Sequence, residues 1–265
     1  MSGLTAVVLP GSGSDDRFVR AAFAGPSDRL GIRLIAPPPQ RGRNLVAGYR
    51  AALDAALAGT ADGAGPLLVG GISLGAHVAA SWAAERIGHD PGLSGRLAGL
   101  LLALPAWTGP PGDAPAAVAA RMTAAQVRAG GVAAAVEQAR AGAPDWLASE
   151  LSRSWHGFGA GLADALDAAA TEPGPTPDAL GGLALPAGVA GLRDDPVHPL
   201  AQAQAWQRLL PRSALVVTAL DPFGADPAVL GRATLLGWLR ARTGPRPVTR
   251  PVSPGDGAGR VPPRG

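Results

Sequence analysis

The stretch Gly70-Gly71-Ile72-Ser73-Leu74-Gly75-Ala76-His77, GGISLGAH in one-letter code, decides the fold. Before it runs PLLVGG at 66–71, an apolar segment of the length and bounding expected for a buried strand. After it, from Leu74, a helical pattern begins. Ser73 therefore falls where a strand turns sharply into a helix, between glycines at 71 and 75 that let the backbone close up. The helix points its N-terminus at the serine, which favours negative charge on a reacting oxygen. The spacing predicts a nucleophile elbow; the plainer alternative is a tight turn with an incidental serine.

Working outward, short apolar runs recur, each followed by helical periodicity. AVVLP at 6–10, IRLIAP at 32–37, AGLLLALPA at 98–106, a run ending in VAGLR at 189–193, and ALVVTAL at 214–220 read as strands. Helices are expected over 15–29, 44–58, 199–210 and 226–241. This alternation predicts an α/β fold: a mostly parallel sheet of about six strands with helices on both faces. The pattern breaks between Trp107 and about Leu180, an Ala-rich helical stretch ending in the Pro-rich TEPGPTP. The expected organisation is a core of residues 1–106 and 181–242, a helical cap of 107–180 lying over the edge of the sheet, and a tail, 243–265. The tail is rich in Arg, Pro and Gly without periodicity, a composition expected to be disordered.

Composition narrows the function. Apolar residues make up 47% of 265, enough for a sizeable core. With no cysteine, thiolate nucleophiles, thiolate metal sites and disulfides are excluded. MSGLTAVVLP lacks a basic leader, and no apolar run approaches the ~20 residues of a membrane span, so a cytoplasmic protein is expected. The sequence pI of about 10.7 misleads. All 23 basic residues are arginine, and six lie from Arg240 onward; residues 1–239 carry 17 arginines against 19 acids. No basic stripe marks a nucleic-acid partner. The expected partner is a small-molecule substrate, with no metal or organic cofactor. Oligomeric state is not legible.

Two further loops carry chemistry. LPGSGSDD at 9–16 follows the first strand, and a glycine-rich turn there leaves N–H groups to face an oxyanion. Ser12 or Gly13, with Leu74 after the nucleophile, are the candidate donors. Without any lysine this loop is not a phosphate-binding P-loop. GLRDDPVHP at 191–199 follows the fifth strand, where a carboxylate would orient an imidazole. Asp195 leads, ahead of Asp194; either also suits a helix N-cap. Trp107, Trp146, Trp155 and Phe158 concentrate in or beside the cap of a chain with 4% aromatics. Trp107, Trp155 and Phe158, with His156, point to an apolar substrate pocket, or to ordinary cap packing.

These three loops, in this order and at these strand ends, resemble the α/β-hydrolase superfamily. Within it they resemble small single-domain hydrolases of actinobacteria whose loops read GSGSDD, GxSLGAH and DDPVHP. The resemblance covers about residues 4–242. It implies a nucleophile at Ser73, an acid at Asp195 and an oxyanion hole from the first loop plus Leu74. It also implies a histidine just after the last strand. That place reads Val217-Thr218-Ala219-Leu220-Asp221-Pro222-Phe223, with Leu220 at the expected spot, and no histidine follows His198. The candidate bases are His198, three residues after Asp195; His156 in the cap's SWHGFG; and His77, one helical turn after Ser73. Each also fits a packing role. His89 reads as solvated, and carboxylates at Asp15, Asp16 or Asp221 are poor bases for a serine at neutral pH.

Two functions follow. One is a serine hydrolase acting on an ester or thioester of a small apolar acid, impaired if no imidazole replaces the expected one. The other is a non-hydrolytic protein on the same fold, either a biosynthetic cyclase or lyase or a ligand-binding pseudo-enzyme. If Leu220 occupies the vacated position, Leu220→His is expected to raise esterase activity.

Overall fold

The computed structural model describes residues 3–60 and 65–244. The apolar runs become six strands: β1 (Thr5–Leu9), β2 (Arg33–Ile35), β3 (Leu67–Ile72), β4 (Leu97–Ala103), β5 (Ala187–Leu192) and β6 (Ser213–Thr218). They form one parallel sheet in the order β2-β1-β3-β4-β5-β6. Every residue of β1, β3 and β5 is buried, as parallel strands covered on both faces require. The edge strands β2 and β6 are only partly buried.

Side-chain alternation divides the interior in two. Val7, Leu9, Leu100 and Leu102 face one layer, which includes helices α2 (Leu45–Ala58) and α3 (Leu74–His89). Ala6, Val8, Leu101 and Ala103 face the other, built on α1 (Asp16–Asp28) with Phe23, and on the C-terminal helix carrying Leu230, Leu235 and Trp238. The expected strand and helix positions agree with the structure within a few residues.

Between β4 and β5 the regular structure is helical: α4 (Pro115–Gly142, kinked at Gly131), α5 (Asp145–Phe158), α6 (Leu162–Thr171) and the short α7 (Pro177–Gly181). The insertion leaves and re-enters between β4 and β5, adjacent paired strands inside the sheet. From there α6 packs on the turn Gly42–Asn44 that follows β2, and α5 reaches the segment after β6, so the insertion stretches across the carboxyl ends of the strands. The order closes with α8 (Leu200–Leu209), a short α9 (Leu220–Ala225) directly after β6, and α10 (Ala228–Thr243). From residue 245 the expected disordered tail lies outside the described residues. Among the described residues no helix is long and apolar enough to cross a membrane.

Candidate active site

Ser73 stands between β3 and α3 with φ 53° and ψ −114°. Non-glycine residues rarely adopt a positive φ, and such strain persists only where surroundings enforce it. Here the Ser73 N–H is tied to the Ala103 carbonyl of β4 at 2.8 Å, and its carbonyl accepts from Ala76 and His77. The flanking glycines are required by contact. A Cβ on Gly71 would lie 2.3 Å from the backbone carbon of Gly75, and one on Gly75 would lie 2.5 Å from the Leu9 carbonyl oxygen. The strand, the elbow and the first turn of α3 thus close on one another and on the end of β1.

The loop after β1 borders the serine: a Cβ on Gly11 would sit 3.6 Å from that of Ser73. A turn closed by Ser14 N–H on the Gly11 carbonyl, at 3.2 Å, presents Ser12 and Gly13. Gly13 has φ 68°, the left-handed conformation that this turn position demands. Leu74 opens α3, so its N–H has no acceptor within the helix. The three expected donors therefore belong to the two segments that meet at Ser73.

The loop after β5 supplies the imidazole. His198 Nε2 lies 2.9 Å from Ser73 Oγ, and His198 Nδ1 lies 2.9 Å from Asp195 Oδ2. Asp195 Oδ1 accepts the N–H groups of Val197, at 2.8 Å, and of His198, at 3.0 Å. The local sequence builds this. Pro196 has no N–H to offer, so the carboxylate folds back on the next two. Pro199, which precedes α8, keeps His198 out of helical conformation. Burial raises the Asp195 pKa, but hydrogen bonds from the His198 ring and the two backbone N–H groups outweigh it, and the carboxyl is held below its usual range. An ionised Asp195 accepts, so the ring carries its proton on Nδ1 and leaves Nε2 as the acceptor of the Ser73 hydroxyl.

The other candidates are placed differently. His77 is fully buried; its Nε2 accepts the N–H groups of Ala106 and Trp107, and Trp107 stacks edge-on at 4.4 Å. Burial, with a smaller contribution from His198, pushes its pKa down to about 3. His156 is exposed on α5 with Nδ1 on the Ser152 carbonyl. The structure does not bring it into the cluster, because it falls on the outward side of a helix that buries its neighbours Ser154 and Trp155. Asp194 accepts the N–H of Leu220 at 2.7 Å and so fixes the start of α9.

The aromatic residues separate as well. Trp107 lies on the loop after β4 against His77, and Trp206 of α8 donates to its carbonyl. Trp146 packs on Phe223 of α9, Phe158 is buried in the core, and Trp155 lies against Gly13. Of the expected pocket residues, only Trp155 touches the loops around Ser73 in these contacts. Two surface clefts, of about 590 and 520 Å³, have linings that include neither Ser73 nor His198. Ser73 is 7% exposed, and the His198 side chain 17%.

One contact of the site leaves almost no mark in the sequence. Ser154 Oγ donates to the Gly13 carbonyl at 2.7 Å, and Arg153 forms a two-pronged pair with Asp15 at 2.5 and 2.8 Å. No spacing rule links residues 138 and 141 positions apart; only Ser154 and Arg153 standing beside a tryptophan in SRSWHGF hinted that the helix carried polar contacts inward.

No protein-family model matches the chain, and no curated protein matches it. Solved structures do. A thermophilic esterase from Thermogutta terrifontis is 20% identical with a TM-score of 0.60, covering 91% of each chain. A hydrolase from Oleispira antarctica is 16% identical at TM-score 0.65, covering 88% of this chain and 89% of its own. The enol-lactonase from Burkholderia xenovorans is 14% identical at TM-score 0.61, covering 90% and 92%. With the parallel six-stranded sheet, the elbow and the loops at the carboxyl ends of the strands, this likeness identifies the architecture: the chain has the α/β-hydrolase fold.

Proposed function

We propose that the protein is a serine hydrolase in which Ser73, His198 and Asp195 act as nucleophile, base and orienting acid. The observation that carries this reading is the unbroken hydrogen-bonded line from Ser73 Oγ through the His198 ring to Asp195. Ser73 Oγ attacks an acyl carbon while its proton passes to His198 Nε2. The oxyanion so formed takes N–H donors from Leu74 and from Ser12 or Gly13, a contribution of about 10²–10³ in rate per donor. His198 then protonates the departing alcohol or thiol, leaving the acyl group on Ser73. A water deprotonated by His198 attacks that ester and releases the acid, which restores the serine. The restricted access to Ser73 and the apolar Trp155 beside Gly13 favour an ester or thioester of a small apolar acid. The neighbouring esterases and enol-lactonase are consistent with that class.

The same line weighs against the rival, non-hydrolytic reading, which starts from the vacant position after the last strand, because His198 reaches Ser73 from another loop. A fluorophosphonate probe tests the proposal. Rapid labelling at Ser73, abolished in Ser73→Ala, is expected. A folded protein that stays unlabelled at millimolar probe overturns it.

A further inference from the structure

The cap helix α5 grips the loop after β1 with three consecutive residues. Ser154, itself 2% exposed, donates its hydroxyl to the Gly13 carbonyl. Trp155 covers Gly13 so closely that a Cβ there would stand 2.9 Å from the indole nitrogen. Arg153 holds both oxygens of Asp15 and also pairs with Glu150 on its own helix. Asp15 in turn accepts the N–H groups of Arg17 and Phe18, so the same carboxylate caps α1. Burial alone would raise the Asp15 pKa, yet Arg153 and these N–H groups hold it below the usual range, so the grip is an ion pair at neutral pH.

We infer that Ser154 and Arg153 are positioning residues that set the oxyanion hole. This inference rests on the proposed hydrolase reading. An oxyanion hole works only if its donors stand at hydrogen-bond distance from where the charge develops, before it develops. The Ser12–Gly13 turn is a short glycine loop whose own hydrogen bond, Ser14 to Gly11, fixes one end. The Gly13 carbonyl and the Asp15 carboxylate fix the other, and both are held by the cap rather than by the sheet. The cap thereby acts on the chemical step. Neither residue touches the reacting atoms.

The test is the kinetics of Ser154→Ala and Arg153→Gln with p-nitrophenyl acetate, together with fluorophosphonate labelling rates and thermal melts. Ser154→Ala is expected to lower kcat and the labelling rate about tenfold or more while KM moves less than about twofold. That is a fraction of the loss of a whole oxyanion donor. Arg153→Gln is expected to lower kcat several-fold, with partial recovery in Arg153→Lys, which restores the charge without the two-pronged geometry. Unchanged kcat with a lowered Tm would make the grip purely structural and overturn the inference. A raised KM at constant kcat would make these substrate contacts and overturn it equally. If Ser154→Ala does not fold, the partly exposed Arg153 decides the matter alone. A wild-type protein that never labels sinks the hydrolase reading, and this inference with it. Labelled wild type with equally fast variants sinks this inference only.

Discussion

Two histidines lie near Ser73, and the regions that carry them differ in the property that matters. His77 is on the first turn of α3, four residues from the serine. His198 is 125 residues away on the loop after β5. His77 is sealed: its Nε2 is occupied by two backbone N–H groups, and burial holds it neutral to about pH 3. Its Nδ1 has no partner among the described residues. His198 is partly open to solvent, has a carboxylate on one nitrogen and meets the serine with the other. A base must gain and lose a proton during turnover, and a ring held neutral by burial does not. Nearness in sequence therefore says little; what separates the two rings is the partners of their nitrogens, two backbone N–H groups for His77 and a serine and a carboxylate for His198.

The sharpest way to break this comparison is to remove each ring in turn. His198→Ala is expected to lower kcat/KM by about 10⁵–10⁶ with the melting temperature nearly unchanged, measured with any turned-over p-nitrophenyl ester. A loss below tenfold would return the role of base to another group. Asp195→Asn is expected to cost about 10⁴, since the amide leaves the ring unoriented and the imidazolium uncompensated.

His77→Gln is expected to act on stability. The unfolded chain protonates His77 below about pH 6.5, whereas the folded protein refuses that proton until about pH 3. The folded pKa is depressed, so the stability is fully present above about pH 6.5. It is lost as pH falls through that window, by about 1.4 kcal/mol per pH unit. Urea melts at pH 7, 5 and 4 should show that decline in the wild type and a shallower one in His77→Gln. Parallel declines would mean that other groups govern the acid response.

The smallest effect is expected from Leu220→His. The expectation that this change repairs a vacant site is revised, because the Ser73 hydroxyl already has an imidazole and the Leu220 N–H is bound to Asp194 at the head of α9. Activity within about twofold of wild type is expected in a pNP-ester assay. A large gain would mean that His198 is not a competent base.

The strands were legible because they are continuous apolar runs punctuated by glycine and proline, and the elbow because Gly71-x-Ser73-x-Gly75 sits between a strand and a helix. The choice among His77, His156 and His198 was not legible, since all three sit in plausible local settings. Nor was the path of the insertion, since pairing partners such as Leu100 with Ala187 are set across the sheet.

By itself the sequence determined the alternating architecture, the strained serine and the pair of acids at 194 and 195. These depend on local periodicity and on backbone rules that act over a few residues. The tertiary structure alone decided which acid serves His198 and which binds Leu220, which imidazole meets Ser73, and that Ser154 reaches Gly13. Each is a contact between loops brought to the carboxyl end of one sheet, and a hydrogen bond is made or lost within a few tenths of an ångström, a scale that residue spacing does not encode.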